Sequence, residues 1–170
     1  MPNTEVRQSV LGGRKMTEEE LAEYLRSICY GTVSYVDDEG WPQMRPMNFS
    51  YLDGKFYFHA NKAKGEKLRG LTEGTRVCLS FYTPSDQVGK EYLCRHQSVL
   101  VYGCLRRLDG EGEENKEEIL RSMTALCQAA GTPYKAEPER LGKAWRTISV
   151  FRVDPEAVVG KWVHFGSLPR

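Results

Sequence analysis

Four cations crowd into the segment Asn61-Lys-Ala-Lys-Gly-Glu-Lys-Leu-Arg69, at Lys62, Lys64, Lys67 and Arg69. Such a cluster can hold an oxyanion: Gly65 lets backbone amides approach it, and a helix beginning nearby would add its positive end. The competing reading is a solvated basic loop neutralised by Glu66 and Glu73, because runs of charge usually face water. A second stretch, Trp41-Pro-Gln-Met-Arg-Pro-Met-Asn-Phe49, sets Arg45, Met47 and Asn48 around a proline. Pro46 has no amide, so the strand ladder around it is expected to be interrupted, leaving backbone groups free to meet the edge of a flat heteroaromatic ligand. The alternative is an edge strand protected by its prolines. His59 stands beside the basic segment, Ser98 opens an apolar run, and Lys161 and Trp162 lie near the C-terminus. An aromatic at Trp162 either stacks on a ring system or closes the core.

Other chemistries lack their patterns. The three histidines are scattered, and Cys94-x-His96 is the one tight Cys/His pair, so no metal site is expected. Gly-x-Ser-x-Gly, the P-loop and Gly-x-Gly-x-x-Gly are all missing from the sequence, which disfavours hydrolase, NTPase and Rossmann readings. The 170 residues carry 24 Lys plus Arg against 23 Asp plus Glu, a net charge of +1, so no chain-wide field attracts a polyanion and nucleic acid is not an expected partner. The longest apolar run, Ser98 to Leu105, is far below the roughly 20 residues that cross a bilayer. No signal-peptide pattern opens the chain, and five cysteines at irregular spacing suit reduced thiols, so a cytoplasmic location is expected.

The elements that must position these residues follow from periodicity. Thr17 with Glu20 reads as a capping box that opens a helix over about 17 to 28. Short runs rich in Val, Tyr and Phe, punctuated by Asp37-Asp-Glu-Gly40 and Asp53-Gly54, predict strands over 31–37, 42–51 and 55–60. Pro42 and Pro46 make the second an edge or a broken strand. A helical turn is expected over 64–73, strands over 75–82 and 97–108, and a helix over about 115–130 ended by Gly131. Pro138 can begin a short helical segment. Two closing strands, 147–153 and 157–165, are split at Asp154-Pro155. The connections among the first strands are too short for parallel crossovers, so the chain is expected to be mainly β with peripheral helices, a six- or seven-stranded antiparallel sheet curled into a barrel. Residues 1–12 are read as a mobile N-terminal tail and 13–170 as a single domain.

Several pieces then occur in a telling order: Gly31-Thr-Val-Ser-Tyr35, Glu39-Gly-x-Pro42, Pro46-Met-Asn-Phe49, Asp53-Gly-Lys-Phe-Tyr-Phe-His-Ala60, Gly65-Glu-Lys-Leu68, Val77-Cys-Leu-Ser-Phe81 and Ser98-Val-Leu-Val-Tyr-Gly103. Over about residues 15 to 163 the chain resembles the FMN-binding split-barrel proteins of the pyridoxamine 5'-phosphate oxidase-like superfamily, and within it the group related to nitroimidazole-resistance proteins. That resemblance implies a homodimer with FMN at the subunit interface. By matching positions it implies that Arg45, Met47 and Asn48 border the isoalloxazine, that His59 and Ala60 lie beside ribityl and phosphate, and that Lys64, Gly65 and Lys67 hold the phosphate. Ser98 and Val99 would approach from the neighbouring subunit's side, and Lys161 or Trp162 would close the ring site. Gly65-Glu-Lys67 departs from the Ser-Arg-Lys phosphate motif of the true pyridoxamine-phosphate oxidases, and the tail Ser-Leu-Pro-Arg170 lacks their C-terminal arginines, so pyridoxamine oxidation is disfavoured.

The implied function is an FMN-dependent oxidoreductase that passes two electrons from a reduced donor to a small electron-poor acceptor, a nitroimidazole or other nitroaromatic among the candidates, with His59 as a catalytic or orienting group. The alternatives are a flavin- or haem-binding split barrel without turnover, serving as sensor or carrier with a histidine as axial ligand, and a structural dimer with an empty groove.

Overall fold

The computed structural model describes residues 2–6, 13–61, 70–84, 95–108, 113–131 and 147–164. Helix α1 (Glu18–Ser27) begins as its sequence dictates: Thr17 accepts from the Glu20 amide while the Glu20 carboxylate accepts from the Thr17 amide, so two orphan donors are satisfied reciprocally. Tyr24 and Leu25 turn its apolar stripe to the core. Helix α2 (Glu113–Ala129) ends at Gly131, whose φ of +77° is the left-handed conformation that glycine adopts without strain.

The strands are β1 (Gly13–Lys15), β2 (Tyr30–Val36), β3 (Pro42–Asn48), β4 (Ser50–Leu52), β5 (Lys55–Asn61), β6 (Arg76–Pro84), β7 (Arg95–Leu108) and β8 (Ile148–His164). They form one antiparallel sheet in the order β3-β2-β6-β7-β8-β5-β4, with β1 added to β8. A single residue, Phe49, separates the two end strands of that path, β3 and β4, and β3 comes into contact with β5. The sheet therefore curls until its ends meet, as a split barrel, around Val33, Phe49, Phe58, Leu79, Phe81, Val99, Val101 and Phe151. The rings of Phe49, Phe58 and Phe81 meet edge-on at 5.1 to 5.5 Å, and Phe58 stacks on Phe151 at 5.1 Å.

Four expectations are corrected. The strand over 42–51 is two strands, broken at Phe49 and not at Pro46. β3 is the edge it was expected to be, but its register runs unbroken through Thr32↔Pro46, because a proline on an edge strand can turn its missing amide away from the ladder. The two closing strands are one 17-residue strand, β8. Its pairing with β7 shifts by one residue between Tyr102 and Gly103, leaving Glu156 as a bulge, so that Phe151 and Val153 before it and Val158 and Trp162 after it all face the core. Gly103 is required there, since a Cβ would collide with the Asp154 carbonyl. With β1 the strands number eight among the described residues, more than six or seven. The segment 70–75 is a turn, Thr75 Oγ1 donating to the Gly70 carbonyl. Residues 62–69, Pro138 and most of the presumed tail lie outside the described residues.

Candidate functional site

Side chains paired across an antiparallel sheet project from the same face, and the registers sort the expected site residues. Asn48 pairs with Tyr30, and carrying the β2–β6 register two pairs beyond Thr32↔Ser80, through Gly31 and Phe81, sets Tyr30 against Tyr82. Tyr82 pairs with Ser98, Ser98 with Lys161, and Lys161 with Lys15. At the other end, continuing the β4–β5 register beyond Ser50↔Tyr57 sets Phe49 against Phe58, in agreement with their ring contact, and Asn48 against His59. One cross-strand belt thus runs over the outer face: His59, Asn48, Tyr30, Tyr82, Ser98, Lys161, Lys15. Four of the expected residues, His59, Asn48, Ser98 and Lys161, converge on it although they are spread over more than 100 positions of sequence.

Other expected residues face inward. Arg45 pairs with Val33 and Met47 with Gly31, on the core side of β3, where Met47 packs against the core. Arg45 donates to Gln43 Oε1 at 2.9 Å. Ala60 and Val99 are core residues, Val99 fully buried, so each can offer a ligand only its backbone. Trp162 packs against the core with the Arg14 guanidinium 5.3 Å above its ring, itself held by Glu20. Lys64, Gly65 and Lys67 lie outside the described residues, in the segment that follows β5 directly after His59-Ala-Asn61.

Along the belt, charge and polarity are left open. His59 is largely buried at the outer surface of β5, its Nδ1 has no hydrogen-bond partner, and burial pushes its pKa below the ordinary imidazole value. At neutral pH the ring is uncharged, an acceptor at one nitrogen and a donor at the other. Tyr30 and Tyr82 are 71% and 58% exposed, large rings standing in water at the centre of the belt, and His96 tilts against Tyr82 at 5.4 Å. Two strand rows away, on the same outer face, a groove of about 950 Å³ is lined by Ser34, Val36, Met44, Cys78 and Tyr102. Val36 and Met44 are exposed, as is the neighbouring Trp41. Cys29, Cys78, Cys104 and Cys127 are free thiols, and burial pushes that of Cys78 up, away from the thiolate. No group of three His, Cys, Asp or Glu residues suited to a metal ion occurs among the described residues, nor is any described helix long and apolar enough to cross a membrane.

Sequence reasoning missed Tyr30, Tyr82 and Lys15. Tyr30 and Tyr82 look like ordinary strand residues until their faces are known, and Lys15 looks like the end of a tail until β1 pairs with β8. One signal was readable: an exposed aromatic at the boundary of a strand whose other large residues alternate inward.

Comparison with known proteins places this arrangement among others. The sequence profile described as "Pyridoxamine 5'-phosphate oxidase" matches residues 17–162. No curated protein matches the chain. Among solved structures, the fold is similar to a candidate 5-nitroimidazole antibiotic resistance protein from Bacteroides thetaiotaomicron, with 21% identity over 90% of each chain and a TM-score of 0.70. It is similar to a FAD-binding protein from Mesorhizobium loti, with 19% identity over 89% of this chain and 98% of the other, TM-score 0.63. It is also similar to a flavocytochrome from Azotobacter vinelandii, with 20% identity over all of this chain and 78% of the other, TM-score 0.68. At these identities the likeness is one of fold.

Proposed function

Because the chain belongs to the pyridoxamine 5'-phosphate oxidase family, we propose that it is a flavin-dependent oxidoreductase using FMN, in which the outer-face belt and the basic segment 62–69 together hold the cofactor between two copies of the chain. The observation that carries this reading is the orphaned, buried Nδ1 of His59, which sits in the belt immediately before the basic segment. A buried polar atom without a partner is destabilising unless a ligand supplies one. The donor set fits a flavin: Lys64 and Lys67 suit a dianionic phosphate, Asn48 offers both donor and acceptor to a heterocycle edge, and Tyr30 and Tyr82 offer flat faces. Arg45 and Met47 contribute through the exposed edge of β3, where backbone groups remain unpaired.

A bound flavin would supply two-electron chemistry between a reduced donor and an acceptor. The protein's own part is binding, orientation and exclusion of water. Neutral His59 would accept a hydrogen bond from a ribityl hydroxyl or donate one to a phosphate oxygen; proton delivery to a reduced acceptor would first require it to take up a proton, which its burial opposes. A small electron-poor acceptor such as a nitroimidazole fits the apolar groove beside the belt. A second copy of the chain fits the same outer face, where Tyr30, Trp41, Met44 and Tyr82 present apolar surface to water.

The test is direct. Full-length protein incubated with FMN and freed of excess ligand is expected to carry flavin absorbance bands and to run as a dimer. With NADH or NADPH it is expected to reduce a nitroaromatic only when FMN is bound. A colourless, monomeric protein overturns the reading. Bound flavin without turnover replaces it with the carrier or sensor role, and a Soret band lost in His59→Ala assigns haem instead.

A further inference from the structure

The β1–β8 register places Lys15 directly opposite Lys161 on the outer face, with the Ser98 hydroxyl next in the same row. Like charges directly opposite across a strand pair are destabilising. Among the described residues neither lysine has an acidic partner, whereas Arg14, in the adjacent row opposite Trp162, is engaged by Glu20. Lys15 is exposed and Lys161 half-buried, so both chains are anchored at the same row of the outer face. The pair survives because long side chains can splay apart; an oxyanion between them would let both converge, with Ser98 as a third donor.

We propose that Lys15, Lys161 and Ser98 form a second anion site, distinct from the basic segment 62–69, that takes a phosphoryl or diphosphoryl group. Along the belt, the Tyr30–Tyr82 platform separates this site from His59, so the belt offers an extended ligand an anion site at one end and flat ring faces in its middle. This fits a dinucleotide, or a mononucleotide flavin at one end with a phosphate-bearing partner molecule at the other. The site is defined by the register alone and does not need the flavin reading to hold.

Inorganic pyrophosphate is the probe, titrated calorimetrically into full-length protein carrying Lys64→Ala and Lys67→Ala so that the basic segment does not answer for the site. Binding is expected, weakened about tenfold by adding either Lys15→Ala or Lys161→Ala, the size of one lost charge-assisted hydrogen bond, and weakened by added salt. Without ligand and at low salt, Lys15→Gln in the native background is expected to raise the melting temperature by about 1–3 °C by relieving the repulsion, less so at high salt. FMN and FAD titrations into Lys15→Ala identify the source of the anion. Loss of FAD affinity alone assigns the second phosphate of a dinucleotide, loss of neither assigns a phosphate-bearing molecule other than the flavin, and loss of both overturns a site distinct from the one that holds the FMN phosphate. Pyrophosphate binding that is absent, or that survives both lysine substitutions unchanged, overturns the proposal. So does a Lys15→Gln variant that melts no higher than the native chain.

Discussion

Under α2, Glu118 accepts from the Tyr57 hydroxyl at 2.7 Å and from Arg152 at 3.0 Å, Arg152 donates to Asp154, and Asp154 accepts from Arg106 at 2.7 Å. Further along the same outer face, Lys15, Lys161, Tyr30 and Tyr82 stand without comparable partners, as does the Nδ1 of His59, two residues beyond Tyr57 on the same side of β5. The first region is closed: burial alone would raise the pKa of Glu118, but the hydrogen bonds from Tyr57 and Arg152 outweigh it and hold the carboxyl below its ordinary value. Tyr57 is driven the other way, its pKa raised by burial and by the carboxylate beside it. Arg152 Nε lies 2.9 Å from Asp154 Oδ1 yet makes no hydrogen bond there, so that contact is ionic while the Nη atoms carry the directional bonds. The closed region ties a helix to the barrel beside the apolar contacts of Tyr57, Ile119, Met123 and Val150. The difference teaches where this molecule spends polar groups on its own stability and where it keeps them for something else.

The comparison breaks most completely if the aromatic centre shared by both regions is removed. Phe58→Ala deletes a fully buried ring that touches Phe49 and Phe151, and is expected to cost about 3–5 kcal/mol in urea unfolding. Next, Arg152→Ala should cost about 1.5–3 kcal/mol, because it strips charge-assisted bonds from two carboxylates that are mostly shielded from water, while flavin affinity stays as it was. A loss of flavin affinity equal to that of a belt variant would erase the distinction between the regions.

The same clasp sets a pH response. Glu118 and Asp154 both have folded-state pKa values below their ordinary 4.5 and 3.8. Their contribution is therefore present above those values and lost as pH falls through the lower, folded ones. Native protein should lose stability below about pH 4.5, and Arg152→Ala should lose distinctly less over that interval. For residues assigned to the cofactor the order of effects reverses. Lys67→Ala is expected to leave the unfolding midpoint in place but weaken FMN by about 1.5–3 kcal/mol in a fluorescence titration. Smallest is Tyr82→Ala, within about 0.5 kcal/mol of native in stability because the ring is exposed, and weaker for flavin by about 0.5–1.5 kcal/mol if the ring is a stacking platform.

Local chemistry was legible wherever a few neighbouring residues settle the outcome. The Thr17–Glu20 box opened α1, Gly131 closed α2, and the Asp-Gly turn at 53–54 joined β4 to β5. Alternation in Phe56, Phe58 and Ala60 marked one face of β5 as core. The antiparallel, curled sheet followed from short connections and too few helices to cover two faces. Less legible were features that depend on a partner strand: the bulge at Glu156 that rephases β8, the break at Phe49 where the sheet's ends meet, and the addition of β1 to β8.

By itself the sequence determined both described helices and the placement of most strands, that they pair antiparallel, and that a cationic segment follows the strand carrying His59, because propensity, capping and turn chemistry act over a few residues. Only the tertiary structure decided that Asn48, Ser98 and Lys161 share one outer row with Tyr30, Tyr82 and Lys15, while Arg45, Met47, Val99 and Trp162 face inward. A strand's side chains alternate with a period of two, so one residue of register or one bulge exchanges a site residue for a core residue. That register is set by contacts between segments far apart in the chain.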